Sequence, residues 1–285
     1  MRLSIITINY NNADGLRKTL ASVASQTYCD IEHIIVDAAS TDSSVDVIRE
    51  YEEQLHLTHS TIHLQWNSEK DKGIYDGMNK GIMRASGEYI QILNSGDILH
   101  DEQVVEMMFK ALEENNYPEI LYGNMLKSYD GKTIINRDTC GNGMYTPESF
   151  LYFYKGTLNH DCAYIRRDLF DKYGLYNEDM KICSDWEWYV RAIVLGEEKP
   201  IYTNIDVTIF DMNGVSESYG KNAELIKKER REYLEKILPA TVLHDYDEYS
   251  FPMRQYQRLR KHHMWGIVHF IERILFKLEK WKILK

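Results

Sequence analysis

Short apolar runs alternate, over the first 125 residues, with segments in which apolar residues recur every three or four positions. The runs are rich in β-branched residues and predict buried strands. The intervening segments, such as the one carrying Leu16, Leu20 and Val23, have the spacing of amphipathic helices. Repeated strand–helix–strand units predict an α/β fold with a mostly parallel sheet covered on both faces. The predicted strands of this part are 3–8, 33–37, 62–66, 89–93 and 119–125.

The pattern changes after about residue 125. Asp130 and Gly131 mark a tight hairpin turn. Further strands are predicted at 162–165 and 201–210, with an aromatic helix near 185–195 between them. The chain contains neither an internal repeat nor a low-complexity segment, so we expect this part to extend the same α/β unit.

Composition narrows the possible functions. The 285 residues include 34 Lys and Arg against 44 Asp and Glu, and the net charge of −10 argues against nucleic acid as a partner. No run of eighteen uncharged apolar residues predicts a membrane-spanning helix, and the N-terminal residues lack the apolar region of a secretory signal. The four cysteines are widely separated, so we expect reduced thiols of a cytoplasmic protein.

The charge is unevenly distributed. Residues 254–285 carry a net charge of +7, which leaves −17 on residues 1–253. This tail also has apolar residues at helical spacing, at positions 267, 271, 274, 278 and 281. One interpretation is a helix that lies on an anionic membrane surface; the other is a helix packed on the rest of the chain or on a second subunit of an oligomer. The cation excess and the two tryptophans favour the membrane.

Polar residues follow several predicted strands, among them Asn9, Asp37, Asp71 and Asp97. In an open α/β sheet, ligands bind outside the carboxyl ends of the strands. The first strand is followed by neither a dinucleotide-binding nor a P-loop glycine pattern. An acidic site that binds phosphate needs a divalent cation between the like charges, and carboxylates suit Mg²⁺ or Mn²⁺. Asp97 is the candidate ligand; the alternative is that it caps the following helix.

Four segments occur in order at these strand ends: SIITINYNN, IIVDAASTDSS, SEKDKGIYDGMNKGI and ASGEYIQILNSGD. Together they resemble the nucleotide-sugar half of the family 2 inverting glycosyltransferases. The third segment is similar to enzymes of bacterial capsule, exopolysaccharide and lipopolysaccharide assembly, in which the donor is commonly a UDP-sugar. The resemblance implies the GT-A fold, in which a Rossmann-like nucleotide-binding sheet merges with an acceptor-binding half. We therefore expect a GT-A domain at 1–215, with halves at 1–100 and 125–215, and a C-terminal helical extension at 216–285.

The resemblance also implies roles in binding the nucleotide-sugar. Thr7 and Asn9 would border the base and ribose, and Asp37 would accept a hydrogen bond from the uracil ring. Asp71 would approach the nucleotide, and Lys72 would either face the diphosphate or remain solvated. These are expectations carried from the family to matching positions.

The expected metal motif departs from the family pattern. Where the family usually has Asp-X-Asp, this chain has Asn94-Ser95-Gly96-Asp97. The resemblance implies that Asp97 binds the cation, Mn²⁺ or Mg²⁺, and that Ser95 and Gly96 border the donor. Fewer carboxylates are expected to weaken cation binding, although the donor diphosphate supplies oxygens of its own.

The segment NHDCAYIRRDLFDKYGLYNEDMKICSDWEWYVRA resembles the acceptor-binding half of the family. Inversion needs a base, because an acceptor hydroxyl does not ionise alone at neutral pH. Asp185 matches the position of that base, in preference to Glu187, and its alternative role is that of an acid stabilising a helix N-terminus. His160, Trp186 and Glu187 are expected to contact the acceptor. The alternatives are a structural histidine and core tryptophans, with one of Trp186 and Trp188 at the surface.

The resemblance thus implies a hexosyltransferase-type glycosyltransferase for cell-surface polysaccharide. It would transfer a sugar from a UDP-sugar to a saccharide acceptor, with inversion. An acceptor linked to undecaprenyl diphosphate would place it on the inner face of the cell membrane. The alternative is a non-catalytic subunit that binds a nucleotide-sugar or glycan within a transferase assembly.

Overall fold

The computed structural model describes residues 1–130, 132–138, 149–212, 222–261 and 264–280. The strands are β1 (Leu3–Asn9), β2 (Ile31–Asp37), β3 (His63–Ser68), β4 (Tyr89–Ile92), β5 (Ile98–Leu99), β6 (Ile120–Ser128), β7 (Ile134–Asp138), β8 (Ala163–Arg166) and β9 (Ile201–Asp211). The helices are α1 (Ala13–Ala24), α2 (Ser44–Leu57), α3 (Ile74–Arg84), α4 (Val104–Glu114), α5 (Phe150–Lys155), α6 (Asp168–Tyr173), α7 (Ser184–Tyr189), α8 (Ala223–Ile237), α9 (Ala240–Lys261) and α10 (Trp265–Lys280). Val190–Leu195 continues α7 as a π-helical segment.

The first part of the chain forms the predicted parallel sheet. Strands β3, β2, β1 and β4 lie side by side and run parallel. Helices cover both faces: Ile34 and Val36 of β2 belong to the main core, whereas Ile35 packs in a second cluster with α1 and α2. Consecutive apolar residues of β2 therefore lie on two opposite, buried faces of the sheet. The predicted α/β architecture is confirmed.

Helix α3 lies close against β1. A Cβ atom placed on Gly81 would lie 2.3 Å from Cγ2 of Ile6, so only glycine fits at this contact. The preceding loop, which carries Asp71, is thereby held beside the end of β1.

The sheet continues with mixed directions and curls. Strand β8 is antiparallel to both β4 and β6, between which it lies. Strand β9 is parallel to β6, and β5 is antiparallel to β9 at the far edge. Because β5 follows β4 after only five residues of chain but pairs with β9, the sheet bends around so that β9 ends beside the β4–β5 loop.

The predicted hairpin corresponds to the antiparallel pair β6 and β7, although Gly131 itself lies outside the described residues. Leu234 of α8 and Leu243 of α9 are buried in the main core with the sheet. The predicted domain boundary at 215/216 also lies outside the described residues and stays a prediction. Within the described part of the chain, no helix combines the length and the apolar character needed to cross a bilayer.

Candidate active site

The register of the parallel strands aligns three polar residues in a row at one edge of the sheet. Asn9 is paired with Asp37 across β1 and β2, and Asp37 with Ser68 across β2 and β3. The carboxylate of Asp37 is completely buried and accepts four hydrogen bonds, two from Ser40 and one each from Asn9 and Ser68. Both oxygens of Asp37 are therefore held by neutral donors, at distances of 2.5 to 2.9 Å.

Thr7 does not reach this edge. Its side chain is fully buried within β1, where its hydroxyl lies 3.0 Å from Nε2 of His33. His33 also contacts the hydroxyl of Tyr51 at 3.0 Å, and burial lowers the pKa of His33 to about 3. The expectation that Thr7 borders the base is corrected: two positions before the strand end, it serves an internal polar contact, whereas Asn9 lies at the edge.

The loop before α3 carries the next two candidates. Asp71 is half-buried, accepts the backbone N–H of Gly73 at 3.1 Å, and has its pKa raised chiefly by burial. Lys72 is exposed, and its ammonium group lies 3.4 Å from Glu178. Asp71 thus faces the same edge as Asp37, while Lys72 extends into solvent.

Asp97 lies where the curled sheet closes. One of its carboxylate oxygens accepts the backbone N–H of Asp211 at 2.9 Å, and its side chain is 5% exposed. Gly96 has φ of +111°, and its N–H donates to Thr19 at 2.9 Å. Ser95 receives hydrogen bonds from the amide of Asn12. Asp97 therefore connects the β4–β5 loop to the end of β9. It does not cap the following helix, because α4 begins only at Val104.

Asp185 is at the start of α7 and receives two side-chain hydrogen bonds. His160 Nδ1 lies 3.2 Å from Oδ2, and the hydroxyl of Tyr75 lies 3.1 Å from Oδ1. The other ring nitrogen of His160 lies 3.1 Å from the amide of Asn94, which follows β4. A continuous chain of contacts therefore links the β4 end, beside Asp97, to the candidate base.

The ionisable side chains along this series of contacts shift one another's pKa values. Burial alone would raise the pKa of Asp185, but the hydrogen bond and charge of His160 bring it below its usual range. Burial alone would lower the pKa of His160, but Asp185, Asp161 and Asp97 raise it. The pKa of Asp97 lies well above its usual range because it is buried and close to Asp161. Asp185 is thus stabilised as an anion, whereas burial and the neighbouring carboxylates disfavour the charged form of Asp97.

Trp186 and Glu187 are buried and cannot meet an acceptor in this arrangement. The Trp186 indole donates to the carbonyl of Phe153 at 2.7 Å, and Glu187 forms an ion pair with Arg191 at 2.8 Å. Trp188 is also buried and stacks on Phe170. The expectation of one tryptophan at the surface is wrong, and so is the placement of Trp186 and Glu187 at the acceptor, because α7 is enclosed by core on these faces.

Three contacts of this site were not predicted from the sequence. They involve Tyr75, Asn94 and Asp161. Asp161 is 3% exposed and accepts from Thr208 at 3.0 Å. The adjacent pair His160-Asp161, directly before a strand, was the available signal.

A divalent cation such as Mg²⁺ or Mn²⁺ is held by several oxygen ligands around one point. The described residues contain no group of three or more His, Cys, Asp or Glu side chains arranged to hold a metal. Asp97 provides a hard oxygen ligand, and the carboxylates of Asp161 and Asp211 lie close enough to act on its charge. This donor set fits a cation only as part of a complex in which a bound diphosphate completes the coordination.

Known proteins resemble this chain in sequence. The Glycosyl transferase family 2 profile matches residues 4–174, more than half of the chain. The chain belongs to glycosyltransferase family 2. It is 31% identical over 214 residues to an uncharacterised glycosyltransferase of Mycobacterium tuberculosis, an alignment that covers 75% of this chain and 76% of the relative. It is 28% identical to a PGL/p-HBAD biosynthesis glycosyltransferase of Mycobacterium bovis, with coverages of 66% and 68%.

Solved structures share the fold, so the GT-A expectation is confirmed. A mannosyltransferase of Pyrobaculum calidifontis, in complex with GDP-Man and Mn²⁺, superposes over 100% of this chain and 81% of its own, with a TM-score of 0.62 and 17% identity. Residues 1–349 of TarS from S. aureus, in complex with UDP-GlcNAc, match 74% of this chain with a TM-score of 0.59 and 17% identity. The chain spans 58% of that fragment and 37% of a longer TarS chain.

Proposed function

We propose that this family 2 glycosyltransferase transfers a hexose from a UDP-sugar to a saccharide hydroxyl, with inversion, in cell-surface polysaccharide assembly. The observation that carries the proposal is the environment of Asp185. This carboxylate lies between His160 and Tyr75, is 15% exposed, and has a lowered pKa. An oriented anion with limited access to water is what a base in this reaction requires.

Asp185 accepts the acceptor hydroxyl proton as that oxygen attacks the anomeric carbon. The new C–O bond forms on the face opposite the bond to UDP, which breaks, and UDP departs with the bonding electrons. His160 stays hydrogen-bonded to Asp185 and stabilises its negative charge before transfer. Tyr75 fixes the second oxygen.

Asp97 is the proposed ligand of Mn²⁺ or Mg²⁺, and such an ion supplies positive charge to the departing diphosphate when bound. Support comes from the raised pKa of Asp97 and from Mn²⁺ in the Pyrobaculum mannosyltransferase structure. Ser95 and Gly96 flank this ligand and remain candidates for donor contact.

The proposal of a uridine nucleotide is supported by UDP-GlcNAc in the TarS structure and by Asp37 at the strand edge, whereas the Pyrobaculum mannosyltransferase structure contains GDP-Man. Asp37 is an acceptor that matches the uracil N–H. Because its oxygens already hold four hydrogen bonds, a base would take the place of one hydroxyl donor. Guanine also offers an N–H, so both nucleotides belong in the test.

The test is a panel of UDP-sugars and GDP-mannose, incubated with the protein and Mn²⁺ and scored for release of nucleoside diphosphate without acceptor. Release from one UDP-sugar supports the proposal and identifies the sugar. Release only from GDP-mannose contradicts the uridine assignment. Binding of UDP without release from any donor favours the alternative of a non-catalytic binding subunit.

We propose an anionic membrane surface as the partner of the tail, residues 254–285. Helix α10 exposes a continuous set of large apolar side chains: Ile267, Phe270, Ile271, Ile274, Leu275 and Phe276. Exposed Arg273 and Lys277 accompany them, whereas residues 1–253 are strongly acidic. Trp281, Lys282 and Lys285 lie outside the described residues. This charge distribution favours anionic lipid over a second acidic copy of the chain, and suits a lipid-linked saccharide acceptor at the inner face of the membrane.

Vesicle binding separates the two interpretations of the tail. The variant R273E/K277E should lose at least about 30-fold in affinity for phosphatidylcholine vesicles containing phosphatidylglycerol, since each basic residue contributes about 1 kcal/mol and the new glutamates are repelled by the lipid. The control R49E/K110E changes the charge equally at exposed positions of α2 and α4 and should bind like the wild type. Equal binding by all three proteins contradicts the membrane role, and a dimer lost only in R273E/K277E favours a subunit contact.

A further inference from the structure

Glu229, near the middle of α8, is a buried carboxylate remote from the strand ends. It is 9% exposed and accepts three hydrogen bonds from consecutive backbone amides. Oε1 accepts from Lys181 at 2.7 Å, and Oε2 accepts from Ile182 at 3.1 Å and Cys183 at 3.0 Å. The side chain thereby fixes the backbone that leads directly into α7, two residues before Asp185.

The backbone of residues 181–183 also contacts Tyr75, a hydrogen-bond donor to Asp185. The Tyr75 hydroxyl lies 2.6 Å from the carbonyl oxygen of Ile182 and 3.1 Å from Oδ1 of Asp185. A hydroxyl has one hydrogen, so the two acceptors share or compete for it. The position of the Ile182 carbonyl therefore determines how Tyr75 serves Asp185. Glu229 accepts from the Cys183 N–H, which belongs to the same peptide unit as that carbonyl, and from the two backbone N–H groups before it.

Other residues of α8 fix the first turn of α7 from the same direction. The guanidinium of Arg230 lies 5.0 Å from the ring centre of Trp186, and Tyr233 meets the same ring edge-on at 5.8 Å. Trp186 follows Asp185 directly. Helix α8 thus holds the chain on both sides of Asp185. Glu229 makes the contacts before Asp185, and Arg230 and Tyr233 make those after it.

We propose that Glu229 is a positioning residue, which acts through the backbone of residues 181–183 and Tyr75 to hold Asp185 in the orientation needed for proton transfer. The proposal rests on the proposed function of Asp185 as the base. Misplacement of a catalytic group by about 1 Å reduces rates by up to about 100-fold.

The test measures UDP release from the UDP-sugar that the wild type hydrolyses, together with UDP affinity, for E229Q and for the control E224Q. Glutamine keeps the size of the side chain but turns an N–H donor toward the amides. Glu224 is exposed on the same helix, so its substitution removes an equal charge. We expect E229Q to lower kcat about 10- to 100-fold while UDP affinity and KM stay within about twofold and E224Q matches the wild type.

A double-mutant cycle distinguishes positioning from general destabilisation. If Glu229 acts through Asp185, adding E229Q to D185N has no further effect on the residual rate. Multiplied effects, a rate of E229Q equal to the wild type, or parallel losses of kcat and UDP affinity overturn the proposal. If E229Q does not fold, E229D, which keeps the charge on a shorter side chain, takes its place in the same cycle. A wild type silent on every donor instead overturns the proposed function, and this inference with it.

Discussion

Two buried carboxylates, Asp37 and Asp185, show how the two ends of the site differ. Asp37 is inaccessible, and its oxygens accept from hydroxyls, an amide and a backbone N–H, all neutral. Asp185 retains 15% exposure of its side chain and accepts from His160, a titratable group, and from Tyr75. The first is a saturated acceptor, which a base reaches only by displacing one of the present donors; the second is an anion whose proton affinity depends on its neighbour, which suits the proposed proton transfer.

The largest effect is expected for D185N, which removes the base and preserves the shape of the side chain. The rate of UDP release should fall about 10²- to 10⁴-fold, while UDP affinity measured by calorimetry stays near that of the wild type. D179N, an exposed change in the preceding loop, is the control. A D185N protein as active as the wild type would remove the distinction between the two carboxylates.

The next effect is expected for D97N at the closing edge of the sheet. Loss of a ligand should weaken Mn²⁺-dependent UDP binding by about 10- to 100-fold, measured by titrating UDP with and without Mn²⁺. Because the pKa of Asp97 is raised, wild-type stability without cation falls as pH rises above the ordinary aspartate pKa, and D97N should reduce that fall. Unchanged Mn²⁺ dependence would contradict Asp97 as the ligand.

A smaller effect, visible as a pH shift, is expected for H160Q. His160 lowers the pKa of Asp185, so removal of the imidazole should raise that pKa and move the acidic limb of the rate profile to higher pH. At high pH, where Asp185 is ionised in both proteins, the rates should converge. A uniform loss of rate at every pH would show that His160 acts in some other way than through the charge of Asp185.

The smallest effect is expected for S68A, which removes one of four donors to Asp37. Unfolding free energy should drop by about 1 kcal/mol, measured by denaturant titration. UDP affinity should be maintained or increased, since an oxygen of Asp37 becomes free for the base. S25A, at an exposed serine, serves as the control. Loss of UDP binding in S68A would contradict the proposed displacement of a hydroxyl donor from Asp37 by the base.

The row of polar residues at the proposed donor end, without Thr7, could be predicted from the sequence because these residues follow strands that pair in order. Asn9, Asp37 and Ser68 occupy one row simply because β1, β2 and β3 run parallel in register. The local sequence pattern is sufficient to predict such a row where strands that are consecutive in the sequence are also adjacent in the sheet.

The acceptor end was predicted less completely because its contacts cross the chain. His160 meets Asn94 only because β8 is inserted between β4 and β6, and no local pattern specifies that insertion. The prediction that Trp186 contacts the acceptor is wrong because helical spacing does not indicate which element packs on a face of the helix. In the structure, Tyr233 of α8 packs on the Trp186 ring. Glu229 lies 46 residues beyond Cys183, with no motif connecting them.

The pairing of β5 with β9 has a consequence for biosynthesis. Ile98 meets Ile209, and the carboxylate of Asp97 is fixed by the N–H of Asp211, 114 positions later. During translation the parallel strands can associate as they emerge, but the edge that holds Asp97 stays open until β9 has left the ribosome. A nascent chain that ends before Ile201 therefore contains Asp37, Asp71 and Asp97 and still lacks the backbone N–H that fixes the carboxylate of Asp97.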